Sequence, residues 1–164
     1  MAVKLNFTDN GVRYYSQDFN QQFLNLLNKS GLMREETDFF VTQSYPASLK
    51  VNVAKGGAYF DGMYIYSDTN LAFDVPRNDF SDERRDIIVL SVDKQKGTAA
   101  VNYKVGTNGS DEPRVENHEL LIAFLYVPPA GKQQVITENE IIMTTHYVFM
   151  SKAEIEKVVK SISV

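Results

Sequence analysis

Alternation of apolar and polar positions with a period of two dominates the middle of the chain. In "LKVNVAK" Leu49, Val51 and Val53 alternate with Lys50 and Asn52, the pattern of a strand with one buried face. "TAAVNYKVG" repeats it through Val101, Tyr103 and Val105, with Gly97 closing the loop ahead. "DIIVLSVD" (Asp86 to Asp93) and "ELLIAFLYV" (Glu119 to Val127) are instead continuous apolar runs, as expected of central strands buried on both faces. Turn residues punctuate the chain from Asp38 to Val127, and no helix-length segment separates the strands. Parallel strands need long crossovers, so the pattern predicts a mainly β fold, an antiparallel β-sandwich whose sheets cover each other.

Helical period appears on either side of this body. In "SQDFNQQFLNLLNKSG" Ser16 can cap, Asp18 suits the first turn and Gly31 supplies the stop, which predicts a helix over 16–30. Phe19, Phe23, Leu26 and Leu27 form its apolar stripe, and that stripe is expected to cover an open side of the sandwich. "DNG" at Asp9 to Gly11 predicts a tight turn between "VKLNF" and "VRYY". "VPPAGKQQ" (Val127 to Gln134) reads as a loop ending the strand-rich body, with a short further strand in "HYVFM". Ser151 and Glu154 then make a capping box for a helix over 151–164, with Ile155, Val158, Val159 and Ile162 on one face. At 14 residues it is too short to stand alone. It either docks on the body or joins copies of itself, which makes those four residues candidate oligomer contacts. The expected organisation is one domain over 1–150 followed by the helix of 151–164.

The densest aromatic stretch is "KGGAYFDGMYIYSDTNLAF", from Lys55 to Phe73. Asp61-Gly62 between alternating apolar runs predicts a two-residue hairpin turn. In that register Phe60 faces Met63, Tyr59 faces Tyr64, Ala58 faces Ile65 and Gly57 faces Tyr66. One face carries Ala58, Phe60, Met63 and Ile65 as core. The other carries Tyr59, Tyr64 and Tyr66, flat rings with polar tips suited to a protein partner or a stacked glycan. These tyrosines equally suit a place beneath a neighbouring helix or sheet.

Composition narrows the chemistry. The chain of 164 residues carries a formal charge of −4, which gives no electrostatic attraction to nucleic acid. It has no cysteine, so disulfides, thiol catalysis and thiolate metal sites are excluded. No run approaches the roughly 18 apolar residues of a membrane span, and the N-terminal stretch lacks a signal pattern; neither export by that route nor membrane insertion is expected. His118 and His146 lie in no metal-ligand or nucleophile motif, and "KGGAYF" lacks the spacing of a phosphate loop. Acid clusters at Asp82, Glu83 and Asp86 and at Asp111, Glu112 and Glu116 raise the question of glycoside hydrolysis. Arg84, Arg85 and Arg114 beside them favour ordinary ion pairs. The oxygen-rich loops "TNGSDE" and "SDTN" lack the ligand periodicity of a calcium loop. The reading is therefore a non-enzymatic protein without metal or cofactor.

Taken in order, "KVNVAKGGAYFDGMYIY", "RRDIIVLSVD", "TAAVNYKVG", "DEPRV" and "ELLIAFLYVPPAG" resemble the N-terminal attachment domains of bacteriophage tail-fibre and baseplate proteins, including the shoulder domain of siphophage receptor-binding proteins. The resemblance spans roughly Leu49 to Ile142. It implies a structural component of a tail tip or baseplate, made in the bacterial cytoplasm and carried on the virion. Its partners would be other tail proteins and copies of itself in a trimer or hexamer, with a contribution to host adsorption. It also implies scaffold roles: Gly57 and Gly62 for tight backbone, Asp86 after Arg84 and Arg85 to anchor a buried strand, and Glu119 in the same position before the last strand. Such families continue into an isoleucine, aspartate and arginine ending, where this chain reads "ITENEIIMTTHYVFM". The alternative reading is a carbohydrate-binding module that places a cell-wall glycan on Tyr59, Tyr64 and Tyr66.

Overall fold

In a computed structural model, the described residues are 30–33, 37–60, 63–107 and 111–144. They form a mainly β structure in which every ladder is antiparallel. The strands are β1 (Gly31–Leu32), β2 (Val41–Gln43), β3 (Lys50–Val53), β4 (Gly56–Phe60), β5 (Met63–Ser67), β6 (Leu71–Asp74), β7 (Arg84–Asp93), β8 (Thr98–Lys104), β9 (Glu119–Val127) and β10 (Ile141–Met143). Their order is β1-β4-β5 in one sheet, β2-β3-β6 in a second and β10-β9-β7-β8 in a third. The helices expected over 16–30 and 151–164, the turn at Asp9 to Gly11 and the strand in "HYVFM" lie outside the described residues, Ser30 excepted. Among the described residues the one helical turn is 3-10, at Glu138–Glu140, and no helix is long and apolar enough to cross a membrane.

A single buried cluster draws on all three sheets. Leu32, Ala58 and Phe60 come from the first, Val41, Val51 and Val53 from the second, and Ile88, Leu90, Ile122 and Leu125 from the third. The alternation in "LKVNVAK" is realised as expected, with Val51 and Val53 inside and Lys50 outside. β7 is the long central strand, and Ile87 and Val89, opposite in phase to Ile88 and Leu90, are buried as well. In β9 the inward phase changes partway: Leu120 and Ile122 are buried, then Ala123, Leu125 and Val127. The cause is a bulge, because Ile88 pairs with Ala123 while Val89 pairs with Leu121 and leaves Ile122 as the extra residue. One inserted residue reverses which parity faces the core, so buried residues of both parities occur along "ELLIAFLYV".

The expectation that "VPPAGKQQ" closes the strand-rich body is corrected. The chain returns after it, bridges Ser48 through Ile136 and adds β10 to the free edge of β9. The loop is itself fastened. Asn78 accepts from the Phe80 amide at 3.0 Å and donates to the carbonyls of Asp82 at 2.8 Å and Val127 at 3.1 Å. Gln134 accepts from the Asn78 amide and donates to the Asn78 and Pro128 carbonyls, all at 2.9 Å. Thr137 and Glu140 then form a reciprocal capping box that turns the chain into β10.

Candidate functional site

The β4-β5 hairpin has the expected register: Phe60 faces Met63, Tyr59 faces Tyr64, Ala58 faces Ile65 and Gly57 faces Tyr66. Its turn residues, Asp61 and Gly62, lie outside the described residues. Ala58 and Phe60 are in the core, and Met63 and Ile65 pack against it. The three tyrosines of the other face do not share one environment. Tyr64 and Tyr66 are 57% and 60% exposed, whereas Tyr59 is 1% exposed. Tyr59 lies on the middle strand β4, between Gly31 of β1 and Tyr64 of β5, and Tyr64 and Tyr66 lie on the outer strand. A platform of three rings is thus reduced to two at the surface. The ring of Tyr64 also leans over Gly57: a Cβ placed there would stand 3.0 Å from the Tyr64 hydroxyl and 3.2 Å from its Cε2. The tight backbone that the resemblance implies at Gly57 takes the form of room for a ring.

The acidic clusters do not converge on a reaction centre. Asp86 is fully buried and saturated with donors: Arg84 Nε at 2.8 Å, Arg84 Nη2 at 2.8 Å, the Gly106 amide at 2.7 Å and the Tyr103 hydroxyl. Arg84, 3% exposed, also donates to the carbonyls of Pro76 and Arg77, both at 2.8 Å. The hydrogen bond to Asp86 holds the Arg84 guanidinium above its ordinary pKa, against the cost of burial. Burial, then Asp86, pushes the Tyr103 hydroxyl well above its own. Asp82 and Glu83 are exposed beside this knot, as are Asp111, Glu112 and Glu116 further on.

Glu119 repeats the design at the start of β9. Its Oε2 accepts from Lys104 Nζ at 2.6 Å and the Glu116 amide at 2.8 Å, and its Oε1 accepts from the Ser91 hydroxyl at 3.2 Å. Lys104 also donates to the Arg114 carbonyl at 3.0 Å. Burial works to raise the Glu119 pKa, but the Glu116 amide, Lys104 and Ser91 outweigh it and hold the carboxyl below its ordinary value. Both carboxylates anticipated as strand anchors therefore serve as anchors.

His118 lines an open groove of about 680 Å³ with Phe60, Ser91, Asp93, Lys94 and Asn117. Asp93 within it is committed to its own turn, accepting the amides of Gln95 and Lys96 at 3.0 Å each. The Lys96 amide leads the contacts that hold its pKa down. The groove was not legible in the sequence, because it joins the end of β4 to the β7-β8 turn across two sheets. Among the described residues no group of three or more histidines and carboxylates could hold a metal ion. His146 and the candidate oligomer contacts Ile155, Val158, Val159 and Ile162 lie outside the described residues. Comparison with known proteins returns no matching family model, no matching curated protein and no matching solved structure.

Proposed function

We propose that the chain is a non-enzymatic structural module of a bacteriophage tail tip or baseplate, carried on the virion and joined to other tail proteins. One observation carries the reading: the buried acids Asp86 and Glu119, which mark strand entries in the motif order resembling tail attachment domains, are consumed by scaffold bonds. In this reading the three sheets form the expected sandwich, the helix of 16–30 covers its open side, and that of 151–164 docks on the body or joins neighbouring copies. The test is association with particles. The tagged chain, produced in a host bacterium during phage growth, should co-purify with gradient-banded virions and label the tail end in immunogold micrographs. Its absence from intact particles would sink the reading.

A second reading rests on the exposure of Tyr64 and Tyr66. Side chains two apart on a strand stand about 7 Å apart on one face, and flat rings so placed suit a glycan. Tyr64→Ala would then abolish binding to host cell-wall polysaccharide in a pull-down while the protein stays folded. Unchanged binding would remove this alternative.

A further inference from the structure

We propose that β5 is a homodimer edge, along which two copies of the chain join their β1-β4-β5 sheets into one continuous antiparallel sheet. The inference stands on the strand itself and not on the tail assignment. Among the described residues β5 pairs with β4 on one side and with nothing on the other. A strand edge of unpaired amides and carbonyls is a template for another strand, and proteins normally guard it with lysine, proline, a bulge or extreme shortness. Met63-Tyr64-Ile65-Tyr66-Ser67 has no charge, no proline and no register shift.

The sequence of β5 is complementary to itself. An antiparallel pairing centred on Ile65 sets Ile65 against its own copy on the core side. It also sets Tyr64 of each copy against Tyr66 of the other on the outer side. Two aromatic cross-strand pairs result, the kind of pair that stabilises a sheet, with no like charges opposed. Those rings are the two tyrosines of the hairpin left exposed. A glycan would cover the rings and leave the backbone edge unpaired, whereas a second β5 satisfies both. The two-fold contact requires an even number of subunits.

The test is solution mass by light scattering on the whole chain. The wild type should give an even multiple of the 18.6 kDa chain. Tyr64→Glu with Tyr66→Glu opposes carboxylates at both pairs, and should halve the mass while far-ultraviolet circular dichroism is unchanged. Mixing it with the Tyr64→Lys, Tyr66→Lys protein should restore the mass. Because the chain has no cysteine, a second measurement is site-specific. Tyr64→Cys mixed with Tyr66→Cys should yield disulfide-linked dimer on mild oxidation, and neither alone should, since a residue and its own copy at these positions lie diagonally beyond disulfide reach. A monomeric wild type, a mass insensitive to the acidic pair, or no selective cross-link would each overturn the proposal. Loss of polysaccharide binding without a change of mass would also overturn it, in favour of the glycan reading.

Discussion

Replacing Asp86 with alanine tests whether its carboxylate holds the three ends it touches. Asp86→Ala leaves the buried Arg84 guanidinium without its carboxylate, keeping the Pro76 and Arg77 carbonyls, and takes from the Tyr103 hydroxyl and the Gly106 amide the acceptor they share. Removing one member of a buried ion pair costs about 3–5 kcal/mol, and each stranded donor adds up to a further ~1–3 kcal/mol where the site cannot relax. The two retained carbonyls offset part of this, so the expected loss is about 4 kcal/mol, a large share of the roughly 5–15 kcal/mol that holds a domain folded. At about 2–4 °C per kcal/mol for a domain of this size, Tm falls by about 8–16 °C. Arg84→Ala costs less, because Asp86 keeps Tyr103 and Gly106 as donors. The double variant should cost less than the sum, with a coupling of about 2 kcal/mol. Urea unfolding followed by circular dichroism measures all three, with a constant slope required for comparison. An Asp86→Ala loss below about 1 kcal/mol, or a larger loss for Arg84→Ala, would refute the reasoning.

The other anchor and the close backbone approaches make separate predictions. Glu119 has a folded pKa below its ordinary 4.5, so its ionised form contributes stability that is present above that pH and lost as pH falls through the lowered value. The stability advantage of wild type over Glu119→Gln should therefore shrink on acidification below pH 4.5, and an advantage that grows there would contradict the assignment. Gly106→Ala would place a Cβ 1.9 Å from the Arg85 carbonyl oxygen, a backbone clash expected to cost about 3 kcal/mol or more. At Gly57→Ala the nearest atoms are side-chain atoms of Tyr64 and Met33, at 3.0–3.2 Å, and the change should cost about 1 kcal/mol or less in the same denaturation assay. For residues 151–164, whose pattern predicts a helix, light scattering on the chain ending at Met150 checks the proposed assembly role: a lower multiple of the chain mass would put Ile155, Val158, Val159 and Ile162 in a subunit contact, and an unchanged multiple would remove them as oligomer contacts.

What could be read from the sequence was what local alternation determines. The Asp-Gly hairpin register, the inward set of "LKVNVAK" and the two apolar central strands follow from a period of two and from turn chemistry. The anchoring roles of Asp86 and Glu119 were implied by the resemblance to tail attachment domains; charge clustering alone grouped Asp86 with Asp82 and Glu83, which are exposed where Asp86 is buried. Strands of two or three residues, β1, β2 and β10, are too short to show a period. The capping box of Thr137 and Glu140 was visible as "TENE", but its meaning depends on β9 offering an edge to the residues after it. Burial of Tyr59 against exposure of Tyr64 was also beyond a local reading. The two share a face and a register, and the pairing that sets Tyr59 on a middle strand and Tyr64 on an outer one joins β4 to the distant β1.

That strand order also bears on which surface the protein uses. The buried acids are tied to arginine, lysine, tyrosine and backbone amides, and freeing one for proton transfer would release a strand end. Evolution of a reaction at Asp86 or Glu119 would thus work against folding. Surface tyrosines are under no such constraint: Tyr64 and Tyr66 are both more than half exposed, so replacing them opens no core. Aromatic area kept in water on an uncharged outer strand has an energetic outlet in association. The backbone of that strand determines the kind of partner, because amides and carbonyls in a row are matched by another strand and not by a sugar ring. Contact through β5 therefore follows from the same alternation that buries Ala58 and Ile65, which turns Tyr64 and Tyr66 outward together.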